Sequence, residues 1–216
     1  PMQNIGAYGV ELKDVFQELR AFHLGEKTNY TFGLPDCEFG YRESVFKNRY
    51  KNQFVILEVS YRLHKRHQFN TSYGAINEEL SKMGVEELTL SAVSQAVINI
   101  RRSKLPDPAE IGNAGSFFKN PSIAGDQFPV LKQRFPSIVG YPNPDGTVKL
   151  AAGWLIEQCG WKGYRKGDAG CHAHQALVLV NYGHASGRDI LELSGQIVQS
   201  VQEKFDVTLE REVNVV

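Results

Sequence analysis

At 216 residues, with 42% hydrophobic and 22% charged side chains, the chain can bury a sizeable core, hiding roughly 70% of its unfolded surface. Lys and Arg (24) balance Asp and Glu (24), so no net field draws in nucleic acid or an anionic membrane, and any anion site has to be local. No run approaches the roughly 20 apolar residues of a membrane span, no signal segment opens the chain, and three scattered cysteines (Cys37, Cys159, Cys171) suit a reducing, cytoplasmic setting better than a disulfide scaffold.

The opening Pro1-Met2-Gln3-Asn4-Ile5-Gly6-Ala7-Tyr8-Gly9 has no polar lead-in and reads as the inside of an ordered domain. Residues 8–24 are compatible with a helix or with a hairpin. Residues 54–63 alternate apolar and polar side chains, which predicts a half-buried strand. Over residues 88–102, Leu88, Ala92, Val93, Ala96, Val97 and Ile100 recur on one helical face, and Arg101, Arg102 and Lys104 suit a helix C-terminus. Leu105-Pro106-Asp107-Pro108 then forces an extended break, the clearest domain boundary in the chain. Beyond it, residues 150–159 predict a short helix capped by Gly160, and residues 176–180 a short apolar strand. Ile190, Ser194, Ile197, Val201 and Phe205 form a second helical stripe, and residues 207–215 alternate as a terminal strand. Helices and strands mixed without regular β-α alternation favour an α+β fold.

Several segments carry side chains suited to chemistry. Gly112-Asn113-Ala114-Gly115-Ser116-Phe117-Phe118-Lys119-Asn120-Pro121 brackets a serine with glycines, anchors it with two phenylalanines and adds two polar donors. Taken alone, the pattern is equally a tight turn over a buried Phe pair. Cys37-Glu38-Phe39-Gly40-Tyr41-Arg42-Glu43-Ser44 sets an arginine in a loop bounded by Gly40. Tyr73-Gly74, Tyr141-Pro142, Lys149 and Glu212 are each ordinary surface residues when read singly. Cys171-His172-Ala173-His174 looks superficially like a metal site, but no downstream ligand pair completes it, so no metal is expected.

In this order and spacing, the stretches NIGAYGVEL, GYRESVFK, KLPDP, GNAGSFFKNP, AAGWLIEQCGWKG and LEREV resemble the UDP-N-acetylenolpyruvoylglucosamine reductases (MurB). GNAGSFFKNP is the most specific of them, and Tyr73-Gly74 before the long helix is similar to the subclass that closes a tyrosine loop over its substrate. The resemblance implies an oxidoreductase, a UDP-N-acetylmuramate dehydrogenase of cell-wall (peptidoglycan) synthesis, that passes hydride from NADPH through FAD to an enolpyruvyl ether. By the match, Ser116 is the proton donor, Arg42 binds the substrate carboxylate, and Glu212 orients or polarises it. Flavin contacts would come from Asn4, Ile5, Gly6, Ala7, Tyr8 and Gly9, with Tyr41 beside them. Diphosphate contacts would come from Tyr73, Lys104, Asn120, Tyr141, Lys149 and Gln175.

The resemblance also implies a layout. Residues 1–105 would be the remainder of a two-lobed, PCMH-type FAD-binding region and residues 106–205 a substrate-binding domain. Residues 206–216 would be a strand returning to the flavin side. The glycine-rich loop that cradles the FAD diphosphate in the family has no counterpart here, so the N-terminal FAD-binding portion is expected to be missing. Asn214 also stands where some relatives carry an arginine. The implied partners are a UDP-sugar and NADPH, with a cytoplasmic monomer as the working form. Two other readings are a non-catalytic sugar-nucleotide or dinucleotide binding module of the same fold and, more distantly, an alcohol oxidase of the same FAD-binding class. Ser116, Arg42 and Glu212 together serve reduction better than either.

Overall fold

A computed structural model describes residues 1–215 and resolves two compact units, Pro1–Ile100 and a second running from Arg101 to the C-terminus. Both mix helices with antiparallel sheets, so the fold is α+β. The division falls inside the long helix, just ahead of the expected Pro-rich break.

In the first unit, β1 (Gly6–Ala7) and β2 (Val10–Glu11) form a hairpin joined by Tyr8 and Gly9, whose positive φ angles (54° and 78°) are those of a two-residue primed turn. A 3-10 turn at Leu12–Asp14 leads into β3 (Phe16–His23). Residues 8–24, open between helix and hairpin in the sequence, are therefore a hairpin turn followed by a central strand. β3 pairs with β4 (Thr28–Gly33) on one side and β5 (Phe54–Tyr61) on the other, both antiparallel. Leu19, Ala21 and Phe16 bury against Phe32, Cys37, Val45 and Phe46. The Phe54 ring meets His23, Phe32 and Tyr50 edge-on at 4.7, 5.2 and 5.2 Å, a geometry that suits aromatic quadrupoles. The expected strand at residues 54–63 is thus present as β5.

Helix α1 (Ile76–Lys82) packs Ile76 and Leu80 against Ala96 and Ile100 of α2 (Leu90–Lys104). Helix α2 begins after Thr89, whose Oγ1 accepts from the Ala92 amide as an N-cap. Leu88, expected on the helical face, therefore lies outside it and is exposed. Arg101, Arg102 and Lys104 occupy the last turn, as the macrodipole favours.

The second unit opens with β6 (Gly112–Ser116), then β7 (Ser122–Ile123), α3 (Gln127–Arg134), β8 (Gly140–Pro142), β9 (Val148–Leu150) and α4 (Ala152–Gln158). It ends with β10 (Arg165–Lys166), β11 (Ala169–Cys171), β12 (Val178–Asn181) and α5 (Gly187–Phe205). The strands make two antiparallel sheets, β10–β11–β12–β6 and β7–β9–β8. Phe118, Leu150, Leu155, Ile156, Ile197, Val201 and Phe205 form the buried centre between sheets and helices.

The glycine-bracketed segment, read as a loop or tight turn, is instead an edge strand. Gly112 and Asn113 pair with Asn181 and Val180, Ser116 pairs with Val178, and a register irregularity between them absorbs the glycines. Helix α4 ends as expected at Gly160. Its amide reaches Glu157 O at 2.9 Å, and the Trp161 amide reaches Ile156 O at 3.3 Å, the paired bonds of a Schellman motif. Ala176 precedes β12 instead of belonging to it. The terminal strand expected over residues 207–215 is reduced to an extended segment with one isolated bridge, Phe118 to Arg211. Val207 and Leu209 do alternate into the core, but the β6 chain offers a neighbour only near Phe117–Lys119, too short for a ladder.

Helix α5 is held at its start by a capping box: Ser186 accepts from the Asp189 amide, and the Asp189 carboxylate accepts from the Ser186 amide at 2.7 Å. Its inner stripe (Leu193, Ile197, Val201, Phe205) supplies much of the second unit's core. Ser186→Ala is expected to lower stability by about 1 kcal/mol, read as a shift of the urea midpoint without a change in slope.

Candidate functional site

Arg42 is positioned from both ends within the first unit. Its backbone lies in the left-handed region (φ 55°), uncommon for a residue with a Cβ and a reservoir of strain that neighbours must hold. Those neighbours are Lys47, whose Nζ donates to Arg42 O at 3.0 Å, and the Gly40–Glu43 bridge around it. The guanidinium donates to Gly6 O at 2.8 Å and lies 5.2 Å from the Tyr41 ring centroid. Arg42, Tyr41 and Gly6, singled out separately in the sequence, are therefore one cluster.

The Asn4–Gly9 stretch divides in two. Asn4 is fully buried, and its amide donates to Glu11 (3.1 Å) and to Gly40 O (2.9 Å) while its carbonyl accepts from Lys13 N (3.0 Å). With both donors committed, its side chain holds the loop together, and the contact expected of Asn4 toward a flavin would fall to its main chain. Ile5, Ala7 and Gly9 are exposed and present main chain and apolar surface, a partial fit to the edge of an isoalloxazine ring. Tyr73, 54% exposed, leans edge-on against Tyr8 at 6.2 Å, so the tyrosine loop and the hairpin turn touch.

In the second unit, Ser116 ends β6 at an exposed position. Gly115 before it has φ 71°, a conformation a side chain would strain even though there is open space for one. Asn113 braces this turn: its carbonyl accepts from Gly115 N at 3.0 Å, and its amide donates to Ile111 O at 2.9 Å. The chain then runs through Phe117, Phe118 and Lys119, and the C-terminal segment lies antiparallel beside it. Lys119 N donates to Glu210 O (2.9 Å) and Glu212 N donates to Phe117 O (2.8 Å). Ser116 and Glu212 are thereby brought to neighbouring positions of one pairing, with Glu212 half-buried.

The residues expected to bind diphosphate fall into groups. Tyr141 and Lys149 are directly opposed across β8 and β9, with Ser122 of β7 facing Lys149 on the other side. Asn120 accepts from Ala152 N at 3.0 Å, and the Gln175 carbonyl approaches Gly153 in the first turn of α4, so both lie at the start of that helix. Lys104 borders a cavity of about 730 Å³, lined also by Arg101, Arg102, Asn113, Gly115 and His172. Arg101 and Arg102, read in the sequence only as helix-terminal cations, thus add positive charge beside the Ser116 strand.

Cys171 is buried and hydrogen-bonded to Ala176 O, and burial pushes its thiol up to about 11. His172 keeps a buried Nδ1 without a hydrogen-bond partner among the described residues, a feature no sequence pattern marks. Among the described residues, no group of three or more His, Cys, Asp or Glu converges as a metal site would require.

Burial, reinforced by His174, holds His172 below its ordinary value, so the folded state prefers the neutral ring. The stability this preference represents is complete above about pH 6.5 and is lost as pH falls through the folded value. The urea midpoint of the wild type should therefore fall more between about pH 7 and about pH 5 than that of His172→Gln.

A family profile described as "UDP-N-acetylenolpyruvoylglucosamine reductase, C-terminal domain" matches residues 107–216. The UDP-N-acetylenolpyruvoylglucosamine reductase of Pseudomonas syringae pv. tomato is 52% identical over 214 residues, which is 99% of this chain and 63% of that protein. The enzyme of the same name from Flavobacterium johnsoniae is 52% identical over 217 residues, covering 100% and 64%. The Pseudomonas aeruginosa protein is 50% identical over 214 residues, covering 99% and 63%. The chain therefore spans a little under two thirds of the length of the curated relatives it matches. The crystal structure of the Thermus caldophilus reductase superposes with a TM-score of 0.60 at 24% identity, over 99% of this chain and 57% of that one, a likeness of fold.

Proposed function

The chain belongs to the UDP-N-acetylenolpyruvoylglucosamine reductase family, and we propose that the protein carrying it reduces the enolpyruvyl ether of UDP-N-acetylglucosamine enolpyruvate to UDP-N-acetylmuramate, an oxidoreductase step in peptidoglycan precursor synthesis. The observation that supports this most directly is the Glu212 amide bonded to Phe117 O, which sets a carboxylate-bearing residue beside the serine that ends β6. In this reading the protein is a cytoplasmic monomer, residues 1–105 belong to an FAD-binding region and residues 106–205 bind substrate.

When bound against residues 4–9 and Tyr41, FAD reduced by NADPH would supply the hydride. This chain's residues manage the charge and the proton that follow. Hydride addition to the methylene carbon leaves an enolate spread into the adjacent carboxylate, and fixed cations and donors lower that barrier most in a dry site. Arg42 offers its guanidinium to that carboxylate, already held by Gly6 O and the Tyr41 ring. Glu212 orients the same group. The Ser116 hydroxyl gives its proton to the neighbouring carbon; a serine is a weak acid, but an enolate is basic enough to take the proton. Lys104, Asn120, Tyr141, Lys149 and Gln175 bind the diphosphate, and Tyr73 closes over it and excludes water.

In this reading residues 4–9 offer main chain to the flavin ring, and none of their side chains is a cation suited to a diphosphate. The 216-residue chain alone is therefore expected to bind FAD weakly, and recovery of near-stoichiometric flavin with the purified chain would contradict that. In the full-length protein, Ser116→Ala should slow flavin reoxidation by the enolpyruvyl substrate about 10³-fold while flavin reduction by NADPH stays within about twofold. Stopped-flow absorbance separates the two half-reactions. A wild type that binds the UDP-sugar without NADPH-dependent turnover would leave only a sugar-nucleotide binding module.

A further inference from the structure

The three residues Glu210-Arg211-Glu212 pose a register problem. Side chains alternate along an extended segment, so a slip of two residues keeps the same face and exchanges one glutamate for another. Bringing Glu210 opposite Phe117 would put a carboxylate where Glu212 belongs, at the wrong depth and with the wrong flanks. The opposite slip would bring Asn214 there. Backbone pairing alone distinguishes these poorly, because the segment makes an isolated bridge and no ladder.

Two side-chain contacts separate the alternatives. Lys119 is only 6% exposed, and its ammonium pairs with Glu210, which reaches in from a largely exposed position. Arg211 points the other way: its Nε donates at 2.7 Å to the Oγ of Ser194, a fully buried hydroxyl that itself donates to Leu191 O at 2.7 Å inside α5. With Glu210 moved opposite Phe117, Thr208 would face Lys119 in place of the Glu210 carboxylate, while Leu209 would take Arg211's place. With Asn214 there instead, Glu212 would face Lys119 and so leave its place beside Phe117, Val213 would replace Arg211, and Ser194 would lose its donor. Both slips break the Arg211–Ser194 contact, and the first also takes the Glu210 carboxylate away from the buried Lys119 ammonium, a costly exchange in a site of low exposure.

We infer that Lys119–Glu210 and Arg211–Ser194 form a register lock, and that Lys119, Glu210 and Arg211 are positioning residues that fix where the Glu212 carboxylate stands relative to Ser116. The inference rests on the reductase reading for its catalytic consequence, and on the contacts alone for its structural one.

Both consequences are measured in the full-length flavoprotein. Lys119→Met should slow flavin reoxidation by the enolpyruvyl substrate about 100-fold, the scale expected for a displaced catalytic group, while flavin reduction by NADPH stays within about twofold. Glu210→Gln, which keeps a hydrogen-bond acceptor, should lose less than Glu210→Ala. Amide exchange of Glu212 N–H and Lys119 N–H should quicken at least about tenfold in Lys119→Met and in the Arg211→Ala, Ser194→Ala double variant. Should Lys119→Met not accumulate as folded protein, Glu210→Ala carries the same test, because that side chain is largely exposed. Wild-type reoxidation rates and undiminished amide protection in these variants would overturn the lock. A wild type unable to reduce the enolpyruvyl ether would instead sink the reductase reading, leaving amide exchange to decide the lock by itself.

Discussion

The second unit depends on one short antiparallel contact, the Phe117–Lys119 stretch against Glu210–Glu212. Its main-chain bonds are modest, each worth about 1 kcal/mol net. What makes the contact definite is what surrounds it. Phe117 and Phe118 anchor one side in the core, and Val207 and Leu209 anchor the other, so both chains arrive already committed to their depth. Fully burying an apolar side chain contributes about 1.5–3 kcal/mol, more than either backbone bond. Hydrophobic anchoring therefore delivers the two chains to each other, and directional polar contacts then choose the register. Chemistry that needs sub-ångström placement falls to the second, weaker set of forces.

Much of this was legible in the sequence where one physical rule acts alone. The α5 stripe and the Gly160 stop follow from helical periodicity and from a left-handed C′ residue, and the structure has both. The FFKN phenylalanines were expected in a core and are there. Legibility failed where tertiary pairing overrode local preference. Glycines at 112 and 115 argue locally for a turn, yet β12 supplies a partner edge that makes the stretch a strand. Residues 207–215 alternate as a strand should, but a ladder needs a neighbour of equal length, which alternation cannot report.

The site divides in the same way. That Ser116 and Glu212 come together depends on a long-range pairing invisible to any window of sequence, and only the family resemblance suggested it. Asn4 shows the converse: its side chain makes three internal hydrogen bonds that shape the loop, which only the folded structure reveals. The orphaned His172 nitrogen and the Lys119–Glu210 pair had no sequence signal, since a lone histidine or lysine is ordinary anywhere.

The edge contact between Tyr8 and Tyr73 has a thermodynamic corollary. Tyr8 belongs to a turn whose shape is set by positive φ angles, and Tyr73 to an exposed segment ahead of α1. If a ligand draws the Tyr73 ring away, it must first replace the free energy of that ring-on-ring contact, of order 0.5–1.5 kcal/mol. By linkage, any molecule that rigidifies or displaces Tyr8 alters the affinity of the ligand at Tyr73 by the same factor, and the reverse holds equally. Two tyrosines far apart in sequence thereby make occupancy of the hairpin and closure of the loop reciprocal variables, without a domain movement between them.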